Sequence, residues 1–149
     1  MTQFEHATAL IYGNLGLLIR GPSGSGKSLL ARDLLTHAKT ASIFAALVGD
    51  DRVHLRVQGG RLIAEPHPRV TGLLEMRYRG IIETDYRKQA VIRMVVDFVP
   101  QDSIERMPEK GEFQINIMGL TLPRQILPAG RRVPLDLVIR QDERENMSA

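Results

Sequence analysis

Gly21-Pro22-Ser23-Gly24-Ser25-Gly26-Lys27-Ser28 satisfies the pattern G-x-x-x-x-G-K-[ST] at every position. Glycines at this spacing let consecutive backbone N–H groups turn inward around phosphate oxygens, and a helix beginning near Lys27 directs its positive end at the same anion. In such a loop the lysine reaches the β- and γ-phosphates of a nucleoside triphosphate, and the serine hydroxyl ligates magnesium. Gly21 to Ser28 are therefore candidates for binding ATP, with Ser28 also a candidate ligand of Mg2+.

The flanking sequence supplies the context this loop needs. Upstream, Ala7 to Tyr12 and Leu15 to Arg20 read as two strands joined at Gly13-Asn14, a hairpin leading into the loop. Downstream, Leu29, Leu30, Leu34 and Leu35 recur at helical spacing and predict a helix to about His37. Ser42 to Val48 is a continuous apolar run, as expected of a strand buried on both faces. It delivers Asp50-Asp51 to its C-terminal end. Val53 to Val57 and Arg61 to Ala64 alternate around Gln58-Gly59-Gly60 as a second hairpin, and Pro66 and Pro68 mark a loop. Ala90 to Phe98 reads as a long strand and Pro100 to Gly111 as a charged connection. Phe113, Ile115 and Ile117 alternate as in a strand, and Leu135, Val138 and Ile139 fall at helical spacing after Pro134. The expectation is a single α/β unit over residues 1–149.

A carboxylate at the end of an apolar strand is where a phosphate-loop enzyme holds magnesium or orients its waters. Two adjacent carboxylates also permit a division of labour, one on the metal and one free to take a proton from an attacking hydroxyl. Asp50 and Asp51 are both candidates for catalysis, and Asp51 is counted among the metal ligands.

Composition narrows the class further. With hydrophobic residues at 43% and charged residues at 25%, the chain is globular rather than disordered in character. It has no cysteine, which excludes disulfides, thiolate metal sites and a cysteine nucleophile, and makes the cytoplasm the expected compartment. Apolar runs such as Val91 to Val99 are interrupted by Arg93 and Asp97 and fall short of the roughly 20 residues that span a bilayer. No membrane partner is expected. The net charge of +3 would suit phosphate ligands or an acidic protein, and with aromatics at 5% and no tryptophan, stacking platforms for nucleic acid are sparse. No nucleic-acid partner is expected either.

Several stretches, taken in order, resemble the catalytic domain of the HPr kinase/phosphorylase family. They are His6-Ala7-Thr8, Ile11-Tyr12-Gly13, the loop Gly21 to Ser28, Leu47-Val48-Gly49-Asp50-Asp51-Arg52-Val53, Gly72-Leu73-Leu74-Glu75-Met76-Arg77, Gly80-Ile81-Ile82 and Pro128-Ala129-Gly130-Arg131-Arg132. The phosphate loop is generic, whereas the Leu-Leu-Glu-Met-Arg stretch is distinctive of the family. The resemblance implies a mixed β-sheet with flanking helices. It further implies ATP- and magnesium-dependent phosphorylation of a serine on the phosphocarrier protein HPr, with removal of that phosphate by inorganic phosphate, yielding pyrophosphate, as a further expectation. It also implies that His6 and an acid of the Asp50-Asp51 pair handle the proton, that Glu75 is a metal ligand, and that Arg77, Arg106 and Arg131 face phosphate alongside Lys27. A homo-hexamer is implied as well, in a short form without the family's separate N-terminal domain. Two other readings stay open: a phosphate-loop kinase of a small metabolite, and a sensor that binds nucleotide without turning it over.

Overall fold

The computed structural model describes residues 2–68, 73–76, 80–83, 85–104 and 113–139. Its strands are β1 (Thr2–Glu5), β2 (Ala7–Tyr12), β3 (Leu15–Arg20), β4 (Ala45–Gly49), β5 (Val53–Gln58), β6 (Arg61–Pro66), β7 (Leu73–Met76), β8 (Gly80–Glu83), β9 (Ala90–Val99), β10 (Gln114–Ile117) and β11 (Leu120–Pro128). One long helix, α1 (Lys27–Thr40), follows the phosphate loop, and a short helical turn covers 136–139. Among the described residues no helix is long and apolar enough to cross a membrane.

A mixed sheet runs in the order β1-β5-β6-β9-β3-β2-β4, with β11 pairing β9 and β10 pairing β11. β3, β9 and β11 are parallel to one another, while the hairpins β2/β3 and β5/β6 are antiparallel. Side chains alternate across this sheet. Leu17, Ile19, Met94 and Val96 face one core with Leu30, Ala31, Leu34 and Ala38 of α1. Leu18 and Val95 face the other, closed by Val53, Leu55, Leu62 and Ile117 from the remaining strands. The flanking-helix layer is thus α1 on one face, and curled strands close the opposite face.

α1 extends three residues beyond the expected end at His37. Its last turn carries His37 and Lys39, which suit the negative end of the helix. It stops where Ser42 adopts a left-handed conformation (φ 58°) and the Ile43 N–H bonds back to the Ala38 carbonyl at 2.8 Å. That stop explains why the strand predicted from Ser42 begins instead at Ala45.

Candidate functional site

Register places one edge of the sheet at the phosphate loop. The parallel strands β3, β9 and β11 deliver their C-terminal ends there, which is where open α/β sheets bind ligands. β2 runs the other way, so its first residue Ala7 lies opposite Arg20, and antiparallel pairing brings Gly49, at the end of β4, opposite Ala9. His6, the phosphate loop and the two aspartates meet because of these pairings.

The loop itself is built for an anion. Gly26, the N-cap of α1, has φ 120°, a conformation that side chains disfavour. No side chain caps the helix and no acid lies in its first turn, so its positive end is left for a ligand. A Cβ on Gly21 would lie 2.8 Å from Phe98 Cβ, so the loop can pass over β9 this closely only as glycine. From the other side, the Gly130 N–H bonds the Ser25 carbonyl at 2.9 Å, which brings the turn carrying Arg131 against the loop. The buried Ser25 Oγ has no hydrogen-bond partner among the described residues.

Lys27 Nζ donates to the carbonyls of Gly21 (2.7 Å) and Pro22 (3.1 Å), folded across its own loop. Burial pushes its ammonium pKa down, against the pull of Asp51 and Asp50. An anion at this point would receive a cation already poorly solvated.

The two aspartates are held in opposite ways. Asp50 is only 7% exposed, and its Oδ1 accepts hydrogen bonds from Thr8 Oγ1 and Ser28 Oγ, each at 2.8 Å. Asp51 occupies the left-handed region (φ 68°), which swings its side chain outward. That side chain is 59% exposed, and its Oδ1 lies 3.2 Å from His6 Nε2. The same imidazole nitrogen is 3.4 Å from Ser23 Oγ of the phosphate loop.

Ser28 and Asp50 form a compact pair of hard oxygen donors. This fits magnesium, which takes one or two carboxylates and completes its shell with water and substrate phosphate. Among the described residues no group of three or more His, Cys, Asp or Glu could hold a metal ion.

Of the other residues singled out in the sequence, Arg131 stands on the turn after β11 and Glu75 on β7, its side chain outside what the structure describes. Arg77 and Arg106 lie outside the described residues. Arg132 forms a two-pronged contact with Asp33 of α1, at 2.6 and 3.0 Å, which ties the turn to the helix. Thr8 is a site residue that the sequence reading does not single out. It is the second residue of β2, and its hydroxyl meets the carboxylate that follows β4.

Beside His6, on the flank formed by β1 and the start of β5, a cleft of about 410 Å³ opens between Phe4, Glu5, His6, Arg52 and His67.

Comparison with known proteins agrees with this architecture. A solved structure of the Hpr(Ser) kinase/phosphatase from Coxiella burnetii superposes with a TM-score of 0.78 over 98% of this chain and 93% of the other, at 23% identity, which speaks for the fold. The HPr kinase/phosphorylase of Mycoplasma mycoides subsp. mycoides is 31% identical over 115 residues, covering 77% of this chain and 34% of that protein. The HPr kinase/phosphorylase of Bordetella petrii is 31% identical over 145 residues, covering 89% of this chain and 45% of that protein. The chain therefore spans less than half the length of these curated relatives. The family model described as HPr Serine kinase C-terminal domain matches residues 2–141, and the chain belongs to that family.

Proposed function

We propose that this chain is an ATP- and magnesium-dependent kinase that phosphorylates a serine of an HPr-type phosphocarrier protein. The observation that carries the reading is the split of the acid pair: Asp50 is buried against Ser28, and Asp51 is turned outward to His6. A nucleotide sensor would need the first arrangement and would have no use for the second.

Asp50 and Ser28, with Glu75 as the family resemblance implies, would hold magnesium, which when bound neutralises charge on the transferring phosphoryl group. This assignment gives the metal to Asp50 and leaves Asp51 for proton transfer. Lys27 leaves the Gly21 and Pro22 carbonyls for the β- and γ-phosphates. The Asp51 carboxylate takes the serine hydroxyl proton as the serine oxygen bonds to the γ-phosphorus and the bond to the departing ADP oxygen breaks. His6 fixes the orientation of Asp51 and links it to Ser23. Arg131, and by resemblance Arg77 and Arg106, would meet the phosphoryl oxygens.

In reverse, Asp51 returns its proton to the serine oxygen while inorganic phosphate takes the phosphoryl group as pyrophosphate. By the same resemblance the chain assembles as a homo-hexamer and works in the cytoplasm, for which its cysteine-free composition is suited.

Asp51→Asn tests the assignment, because it keeps size and most hydrogen bonding while removing the base. With HPr and γ-labelled ATP, turnover should fall about 10²- to 10⁴-fold while ATP affinity holds. Asp50→Asn should instead weaken magnesium-nucleotide binding. Transfer at the parent rate by both variants would remove the roles given to the two aspartates, and nucleotide binding by the parent with no transfer at all would leave the sensor reading in place.

A further inference from the structure

The turn that follows β11 is fastened at both ends. The Ala129 N–H bonds the Val99 carbonyl at 2.8 Å, and the Gly130 N–H bonds the Ser25 carbonyl of the phosphate loop at 2.9 Å. Val133, at the far end of the turn, is buried in the α1-side cluster. Between these anchors lie two exposed arginines with different surroundings. Arg132 is engaged by Asp33 of α1, through its Nε at 3.0 Å and a terminal guanidinium nitrogen at 2.6 Å. Arg131 makes no ion pair among the described residues, so its guanidinium is open to an incoming anion.

The Arg131 backbone lies beside the phosphate loop. A Cβ on Gly26, the N-cap of α1, would come within 4.0 Å of the Arg131 carbonyl oxygen. Gly26, Leu30, Asp33, Arg131 and Arg132 line one crevice there. The Gly130 bond restrains the chain on one side of Arg131, and the Asp33–Arg132 fork restrains it on the other. A guanidinium on a carboxylate through two contacts fixes orientation as well as distance.

Asp33 is ill suited to serve a nucleotide directly. From Lys27 to Asp33 α1 rises about 9 Å along its axis, and a carboxylate repels phosphate. Nor is the pair chiefly a folding contact, because the Arg132 side chain is 67% exposed and surface ion pairs contribute little to stability. A carboxylate only 12% exposed, matched to an arginine 99 residues away, is explained by what it holds in place.

We infer that Asp33 and Arg132 are positioning residues for phosphoryl transfer: their contact sets the turn so that Arg131 meets the phosphoryl oxygens during transfer. The inference rests on the kinase reading above and assigns to that site the contact that orients its arginine. Misplacing a group at the reacting centre by about 1 Å can cost ~100-fold in rate.

Asp33→Asn and Arg132→Ala provide the test, each alone and each combined with Arg131→Ala, with purified HPr and γ-labelled ATP as the probe. Each single variant is expected to lower kcat about ten- to a hundredfold, with the KM for ATP and the unfolding midpoint near those of the parent. In the Arg131→Ala background neither should lower kcat further, because the group they orient is gone. A kcat unchanged in both single variants, in a parent chain that transfers, overturns the inference and leaves the kinase reading intact. So does a loss that recurs in full without Arg131, since the pair would then act through the fold. A raised KM for ATP in Arg132→Ala alone, with Asp33→Asn like the parent, overturns it as well, by placing Arg132 on the nucleotide itself. Failure of the parent chain to transfer at all removes the kinase reading and this inference with it.

Discussion

Thr8 shows how much one buried hydroxyl can organise. It donates to Asp50 Oδ1 at 2.8 Å, and its oxygen is 3.5 Å from the Asp51 N–H, so it touches both acids at the point where they diverge. Thr8→Val keeps the shape and removes both contacts, leaving a buried carboxylate with one hydrogen bond fewer. The cost of leaving such a group short of a partner is about 1–3 kcal/mol. The expected outcome is a lower unfolding midpoint together with a raised magnesium requirement for nucleotide binding, both restored by Thr8→Ser; calorimetric titration at several magnesium concentrations reads the second effect. An altered midpoint with an unaltered magnesium requirement would make Thr8 a packing residue only. The acids themselves were legible in the sequence, because an apolar run that closes on two carboxylates places them at the end of a buried strand, beside the phosphate loop. Their division was not legible. It depends on a left-handed backbone at Asp51 and on Thr8, 42 residues away from Asp50.

Among the elements, β2, β3 and the loop-to-helix junction followed from two strand-like runs joined at a Gly-Asn turn and from helical spacing. β11 did not. Pro123 and Pro128 argue against a strand within a sheet, yet Arg124–Pro128 pairs in parallel with β9. β1 was missed because four residues with a single large apolar side chain carry no usable period. The sign that β9 has charged neighbours was present in Asp97, an acid inside an apolar run that must find a cation once buried. It finds two: Arg20 of β3 at 2.8 and 2.9 Å, and Arg124 of β11 at 2.6 Å. The three parallel strands are thus joined by charge just before the phosphate loop and the Arg131 turn leave them. Burial alone would push the Asp97 carboxyl pKa up; hydrogen bonds and charge from Arg20 and Arg124 outweigh this and hold it below the usual carboxylate range. A depressed folded-state pKa contributes stability above the unfolded value, about 3.9, and that stability is lost as pH falls through the folded value. Asp97→Asn should therefore cost about 3–5 kcal/mol at pH 7, with the gap to the parent closing below about pH 4. Urea titrations across that range measure it, and a gap independent of pH would mean that Asp97 matters for its shape.

For the whole molecule, the chain spans 45% of the Bordetella petrii relative, so its capacity to fold as one unit is a physical question. The two apolar clusters lie on opposite faces of the same strands: Leu17 and Val96 belong to one, Leu18 and Val95 to the other. Loss of register in those strands would open both clusters together, because each strand contributes side chains to both faces. The expected behaviour is all-or-none unfolding, the usual case for a domain of this length. Tyr12 is buried in the α1-side cluster, which gives that face its own near-ultraviolet signal. Its melting curve should coincide with far-ultraviolet dichroism, and the calorimetric enthalpy should equal the van't Hoff value. Leu17→Ala and Leu18→Ala, each emptying a fully buried site on a different face, should destabilise by about 2–5 kcal/mol and move both signals together. If Leu18→Ala instead separated the two signals, the faces would unfold independently, and the unit expected over residues 1–149 would be two.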